Sequence, residues 1–100
     1  MLKSIAAIFS PKMEAKVVIQ GFLSQEAIYM LQNTVKSWGH PGLFRQLSKT
    51  MIQIELEGKQ AGMEAQIDQL SRNPMLGAGR SIHVTFAPCR GKHTSFRVAF

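Results

Sequence analysis

Apolar and polar positions along the chain change period several times, and each change marks an element. Residues 15–22 form a nearly continuous apolar run containing β-branched Val17, Val18 and Ile19. The run is too continuous for a one-sided edge strand and too short for a helix, so it predicts a buried, central strand. Gly21 marks its end, and Ser24 is placed to cap a helix whose first turn holds Gln25 and Glu26. Ile28, Leu31, Val35 and Trp38 then recur at spacings of one helix face, which assigns Trp38 to the core, and Gly39 before His40 and Pro41 stops the helix. Residues 42–47 read as a second strand. Residues 51–57 read as a third, with Ile52, Ile54 and Leu56 inward and Gln53, Glu55 and Glu57 outward toward water. Ser48, Lys49 and Thr50 are few enough to make this pair a hairpin. A second helix is expected over residues 60–71, with Met63, Ile67 and Leu70 on one face and Asn73 and Pro74 beyond its end. Gly77 and Gly79 mark a loop. Two alternating strands follow, one with Ile82, Val84 and Phe86 inward and one, after Pro88, Cys89, Arg90 and Gly91, with Phe96, Val98 and Phe100 inward.

The resulting order is strand, helix, strand, strand, helix, strand, strand. Right-handed crossovers put both helices on one face of such a sheet, which predicts an α/β ferredoxin-like two-layer sandwich with a mixed, mostly antiparallel five-stranded sheet. With 100 residues and 45% hydrophobic content the chain fits one domain with one core. Residues 1–14 are read as an N-terminal arm and residues 15–100 as the domain.

Charge is unevenly placed. After Asp68 the chain carries Arg72, Arg80, Arg90, Lys92 and Arg97 and no acidic residue, so the C-terminal third is a candidate basic surface for nucleic acid, a small anionic ligand or an acidic protein. The three inward phenylalanines alternate as core residues do, and no aromatic-rich strand motif faces outward for base stacking. Apolar runs such as residues 5–9 are far too short to span a membrane, and no small-residue cleavage site follows them. Cys89 stands alone, which excludes an intrachain disulfide and points to a reducing, cytoplasmic compartment. His40, His83 and His93 lack metal-type spacing, and no dinucleotide or P-loop glycine pattern occurs. No cofactor and no metal is expected.

Four short stretches, taken in order, resemble the acylphosphatase family. Ile19, Gln20 and Gly21 are similar to the end of its first strand. Gly42, Leu43, Phe44, Arg45 and Gln46 are similar to its second motif, and Glu55, Leu56, Glu57 and Gly58 to the end of its hairpin. Residues 94–100 are similar to its aromatic-bounded last strand. The resemblance implies an anion-binding turn over Gly21, Phe22, Leu23, Ser24 and Gln25, where helix N-terminal amides hold a phosphoryl group.

Where this sequence departs from the family, it departs at the chemistry. The family's arginine, which holds the phosphate, falls on Gln25, and its asparagine, which orients the attacking water, falls on Gln46. A guanidinium offers charge and a fork of donors, whereas an amide offers two neutral donors on one nitrogen. Losing the cation removes on the order of 10²-fold or more in rate. Val17 and Val18 also stand where the family has a further glycine. These departures predict a degenerate site with no catalytic residues, in a binding or assembly module. The alternatives left open are an acylphosphatase with an altered site, its cation supplied by Lys16 or Arg45, and a basic nucleic-acid-binding domain.

Overall fold

A computed structural model describes residues 12–73 and 80–99. The first eleven residues of the expected arm, the Gly77 and Gly79 loop, Pro74 and Phe100 lie outside the described residues. Strand β1 spans Lys12–Gln20 and is followed by helix α1, Gln25–Ser37. The hairpin of β2, Gly42–Ser48, and β3, Met51–Lys59, leads without a loop into α2, Gln60–Ser71. The chain returns as β4, Ser81–Pro88, and β5, Phe96–Ala99. The sheet order is β4-β1-β3-β2-β5, antiparallel throughout except where β5 pairs parallel with β2. This is the ferredoxin-like sandwich the pattern predicts, with β1 in an interior position.

Alternation decides which side chains meet the helices. Ala15, Val17 and Ile19 on β1 and Ile52, Ile54 and Leu56 on β3 are buried against Ala27, Ile28, Leu31 and Val35 of α1 and Met63, Ile67 and Leu70 of α2. Ser24 caps α1 by accepting from the Ala27 amide at 3.1 Å, while Glu26 and Lys36 complement the dipole at its two ends. Phe44 is fully buried at the centre of β2.

Three details differ from the periodicity. β1 begins at Lys12, because residues 12–14 pair with residues 57–59 of β3; Lys12 and Glu14 are charged positions that an apolar pattern does not mark as strand. Phe22 lies outside β1 and is 66% exposed, since the strand ends at the Gly21 bend. Trp38 is the C-cap of α1 rather than part of its buried face, and it is half-buried, packed against the edge of the core.

Candidate functional site: the Gly21 turn and the helix-free sheet face

At the end of β1 the backbone turns at Gly21 with φ +131°, a conformation L-side chains rarely adopt. A Cβ there would also lie 2.6 Å from Cδ of Arg80, whose side chain packs against the turn. The Gly21 amide donates to Thr50 O at 2.9 Å, tying the turn to the β2–β3 hairpin. A cavity of about 270 Å³ opens beside it, lined by residues 22–25, Ile28, Gln46 and Lys49. The fold therefore brings together the turn and both glutamines that the sequence singled out. The first amides of α1 point toward this end of the helix, where no earlier turn supplies acceptors.

The cations are distributed differently from the sequence expectation. Arg45 and Gln46 sit on opposite faces of β2, as alternation requires, with Gln46 opposite core residue Ile52 and Arg45 opposite Gln53. Lys16 is likewise on the face away from the helices, opposite Glu55 and Thr85. Neither reaches the turn cavity. Among the described residues its one lining cation is Lys49, in the two-residue turn between β2 and β3. The Gln46 amide nitrogen donates to Ser48 O at 3.4 Å, toward its own hairpin. Of the five basic residues of the C-terminal third, Arg72 closes α2 in an exposed pair with Asp68 at 3.0 Å, and Arg80 lies against Gly21. Arg90, Lys92 and Arg97 lie on or over the helix-free face.

That face is not the bare polar surface that alternation predicts. β4 and β5 occupy opposite edges of the sheet, so residues 89–95, which join them, must cross it. The crossing carries Lys92 and His93 over three carboxylates. Glu14 and Glu57 are cross-strand partners and only 6% exposed, a like-charge juxtaposition that costs stability unless compensated. Lys92 Nζ lies 3.2 Å from Glu14 Oε1 and 3.7 Å from Glu55 Oε1. The His93 amide donates to both Glu57 oxygens at 3.3 and 3.2 Å, and His93 Nε2 is 3.2 Å from Glu55 Oε1. Burial raises the Glu55 pKa, but the His93 hydrogen bond, the charges of Lys92 and His93 and the Gln53 amide together outweigh it and hold the carboxyl below its ordinary value. Sequence reading placed Glu55 and Glu57 in water because their partners arrive from some 36 to 38 positions further along the chain. Among the described residues no group of three or more His, Cys, Asp or Glu side chains is arranged to hold a metal ion. No described helix is long and apolar enough to cross a membrane.

No protein-family model and no curated protein matches the chain. Solved structures do. The chain is similar to the acylphosphatase from Bacillus subtilis with a TM-score of 0.69 and 13% identity, covering 88% of this chain and 99% of that one. It is similar to full-length HypF in its phosphate- and nucleotide-bound form with a TM-score of 0.67 and 18% identity, covering 89% of this chain but 12% of that one. An acylphosphatase from Coxiella burnetii matches with a TM-score of 0.60 and 14% identity, covering 89% of this chain and 94% of that one. The fold is thus the ferredoxin-like sandwich of the acylphosphatases, reached at identities too low to carry an activity with it.

Proposed function

We propose that this chain is an acylphosphatase-like domain that no longer hydrolyses acyl phosphates and acts as a binding or assembly module, with the Gly21 turn retained as a site for a small anionic group. The observation that carries this reading is the composition of the turn cavity: among the described residues that line it, the polar groups facing an anion are two neutral amides, Gln25 and Gln46, and one ammonium, Lys49, while the Arg80 side chain packs against Gly21 outside that lining. Phosphoryl transfer depends on positioning and on charge placed where the transition state develops it. A lysine is a point charge without the planar fork that grips two phosphoryl oxygens, so it attracts an anion without fixing its orientation. The Gln46 amide, one methylene longer than asparagine and turned toward Ser48, does not hold a water in line for attack.

Lys49 also favours a second reading, an acylphosphatase whose phosphate cation has moved from the helix to the hairpin turn. One experiment separates the two. Acyl phosphate hydrolysis is measured alongside inorganic phosphate titration followed by backbone amide NMR. The module reading expects hydrolysis no faster than buffer, with phosphate shifting the amides of residues 21–26 and Lys49→Ala weakening that titration. Turnover above buffer that Lys49→Ala abolishes establishes the second reading instead. No amide shift at millimolar phosphate removes the anion site from both.

A further inference from the structure

The helix-free face carries a charge pattern that the turn cavity does not use. Cross-strand register arranges it in rows. One row runs His83, Val18, Gln53, Arg45, Ala99 from β4 to β5; the next runs Thr85, Lys16, Glu55, Leu43, Arg97. Lys16, Arg45, His83 and Arg97 are exposed, and Val18, Leu43 and Gln53 are half-buried between them. On the β4 side a cavity of about 300 Å³ is lined by Lys16, Arg90 and Lys92 with Thr85, Ala87 and Glu14. Its single carboxylate already faces Lys92, so Lys16 and Arg90 set its sign. Among the described residues neither Lys16, Arg45, Arg90 nor Arg97 lies within ion-pair distance of a carboxylate.

The spacing of these cations selects the size of the ligand. Lys16 on β1 and Arg97 on β5 are separated by three strand intervals, roughly 14 Å. A single phosphate or carboxylate cannot touch both, whereas a chain with repeated anionic groups can. The centre between them is not repulsive, because Lys92 and His93 hold Glu55 and Gln53 donates to it at 3.0 Å. Val18 and Leu43 lie half-buried between the cations and offer apolar contact, which a purely ionic polymer or a glutamate-rich peptide would leave unmatched. A polymer with an anionic backbone and exposed planar, largely apolar groups matches both features, and in a duplex those groups are hidden in the stack.

We infer that this face binds single-stranded nucleic acid through its phosphodiester backbone, along a path from the Lys16 and Arg90 cavity past Gln53 to Arg45 and Arg97. The rows offer cations for the backbone and no aromatic residue, so binding is indifferent to base sequence and steeply dependent on salt. The face lies across the sheet from the helices, so this site stands or falls independently of the Gly21 turn.

The test is fluorescence anisotropy with labelled 20-nucleotide single strands of RNA and of DNA, titrated with the whole chain from 50 to 200 mM salt. Binding is expected for purine and pyrimidine homopolymers alike, and each of Lys16→Ala, Arg90→Ala and Arg97→Ala is expected to flatten the plot of log affinity against log salt by about 0.7. Lys36→Ala, on an exposed helix position, is expected to leave the slope unchanged, and circular dichroism checks that every variant is folded. Tighter binding of RNA assigns the ribose hydroxyl a part, and equal binding leaves the shared backbone as what is read; both support the site. Absence of binding at 50 mM salt, equal slopes for wild type and the three face variants, or equally tight binding of polyglutamate or polyphosphate of matching charge overturns it.

Discussion

Lys92 Nζ sits 3.2 Å from Glu14 Oε1, so a half-exposed ammonium on the β4–β5 crossing neutralises a carboxylate that is buried in the middle of the sheet. The contact joins the loop to β1, and without it Glu14 faces Glu57 with no counter-charge of its own. Lys92→Met is therefore expected to destabilise the domain by about 1–3 kcal/mol, the cost of leaving a buried charged acceptor unsatisfied. Glu14→Gln in the same chain should recover most of that loss. Urea unfolding of the two singles and the double, read as a cycle, checks it; additive effects would mean that the pair is not coupled.

The same crossing makes stability depend on acid. The folded-state pKa of Glu55 lies below its unfolded value, so its contribution is fully present above the unfolded value. It is lost as pH falls through the folded one. Thermal midpoints are expected to fall as pH drops below about 4.3, the ordinary glutamate value. In the Glu55→Gln variant that acid-side fall should be shallower. Equal acid profiles for wild type and variant would sever Glu55 from the effect.

Leu31 is fully buried on α1 against the sheet. Leu31→Ala is expected to cost about 2–5 kcal/mol through lost transfer energy and the cavity left behind. Chemical denaturation measures it, and a loss below about 0.5 kcal/mol is what a surface position would give.

Gly21→Ala combines two penalties, a backbone at φ +131° and a Cβ driven to 2.6 Å from Arg80 Cδ. A loss of about 1–3 kcal/mol is expected, with the amide shifts concentrated at residues 21–26. Arg80→Ala in the same chain should return only the steric part, because the backbone conformation remains.

The module reading carries a restoration test. Gln25→Arg with Gln46→Asn returns a guanidinium to the first turn of α1 and shortens the amide across the cavity. The pair is expected to give measurable acyl phosphate turnover where the parent gives none, and either change alone very little, since groups that act as a unit are non-additive. A folded double variant that stays inactive and does not bind phosphate would show that the turn itself has changed shape.

The element order and the core were legible because they depend on local period. The stripe of Ile28, Leu31 and Val35 and the alternation of Ile52, Ile54 and Leu56 each report one buried face. The turn was legible for a related reason, since Gly21 and the Ser24 cap are chemical signatures of a strand passing into a helix. Three features were not legible because tertiary path decides them. Lys49 reads as a hairpin residue until the hairpin is seen tied to Gly21 through Thr50. Glu57 reads as solvated until the β4–β5 crossing delivers the His93 amide to it. The basic C-terminal third reads as one group, yet register divides it, sending Arg72 and Arg80 elsewhere and adding Lys16 and Arg45 to Arg90, Lys92 and Arg97.

Among the sheet's pairings only the β2–β3 hairpin joins neighbours along the chain; Ala15 must find Phe86, Ile19 must find Ile52, and Phe44 must find Val98. Each of those partnerships closes a long loop before any contact rewards it, so topology sets the pace of self-assembly more than the strength of the core does. Among the described strands β5 has only β2 to pair with, and it docks there after the chain has crossed the whole sheet. Until it does, the β2 edge stays open as a template on which another chain can pair.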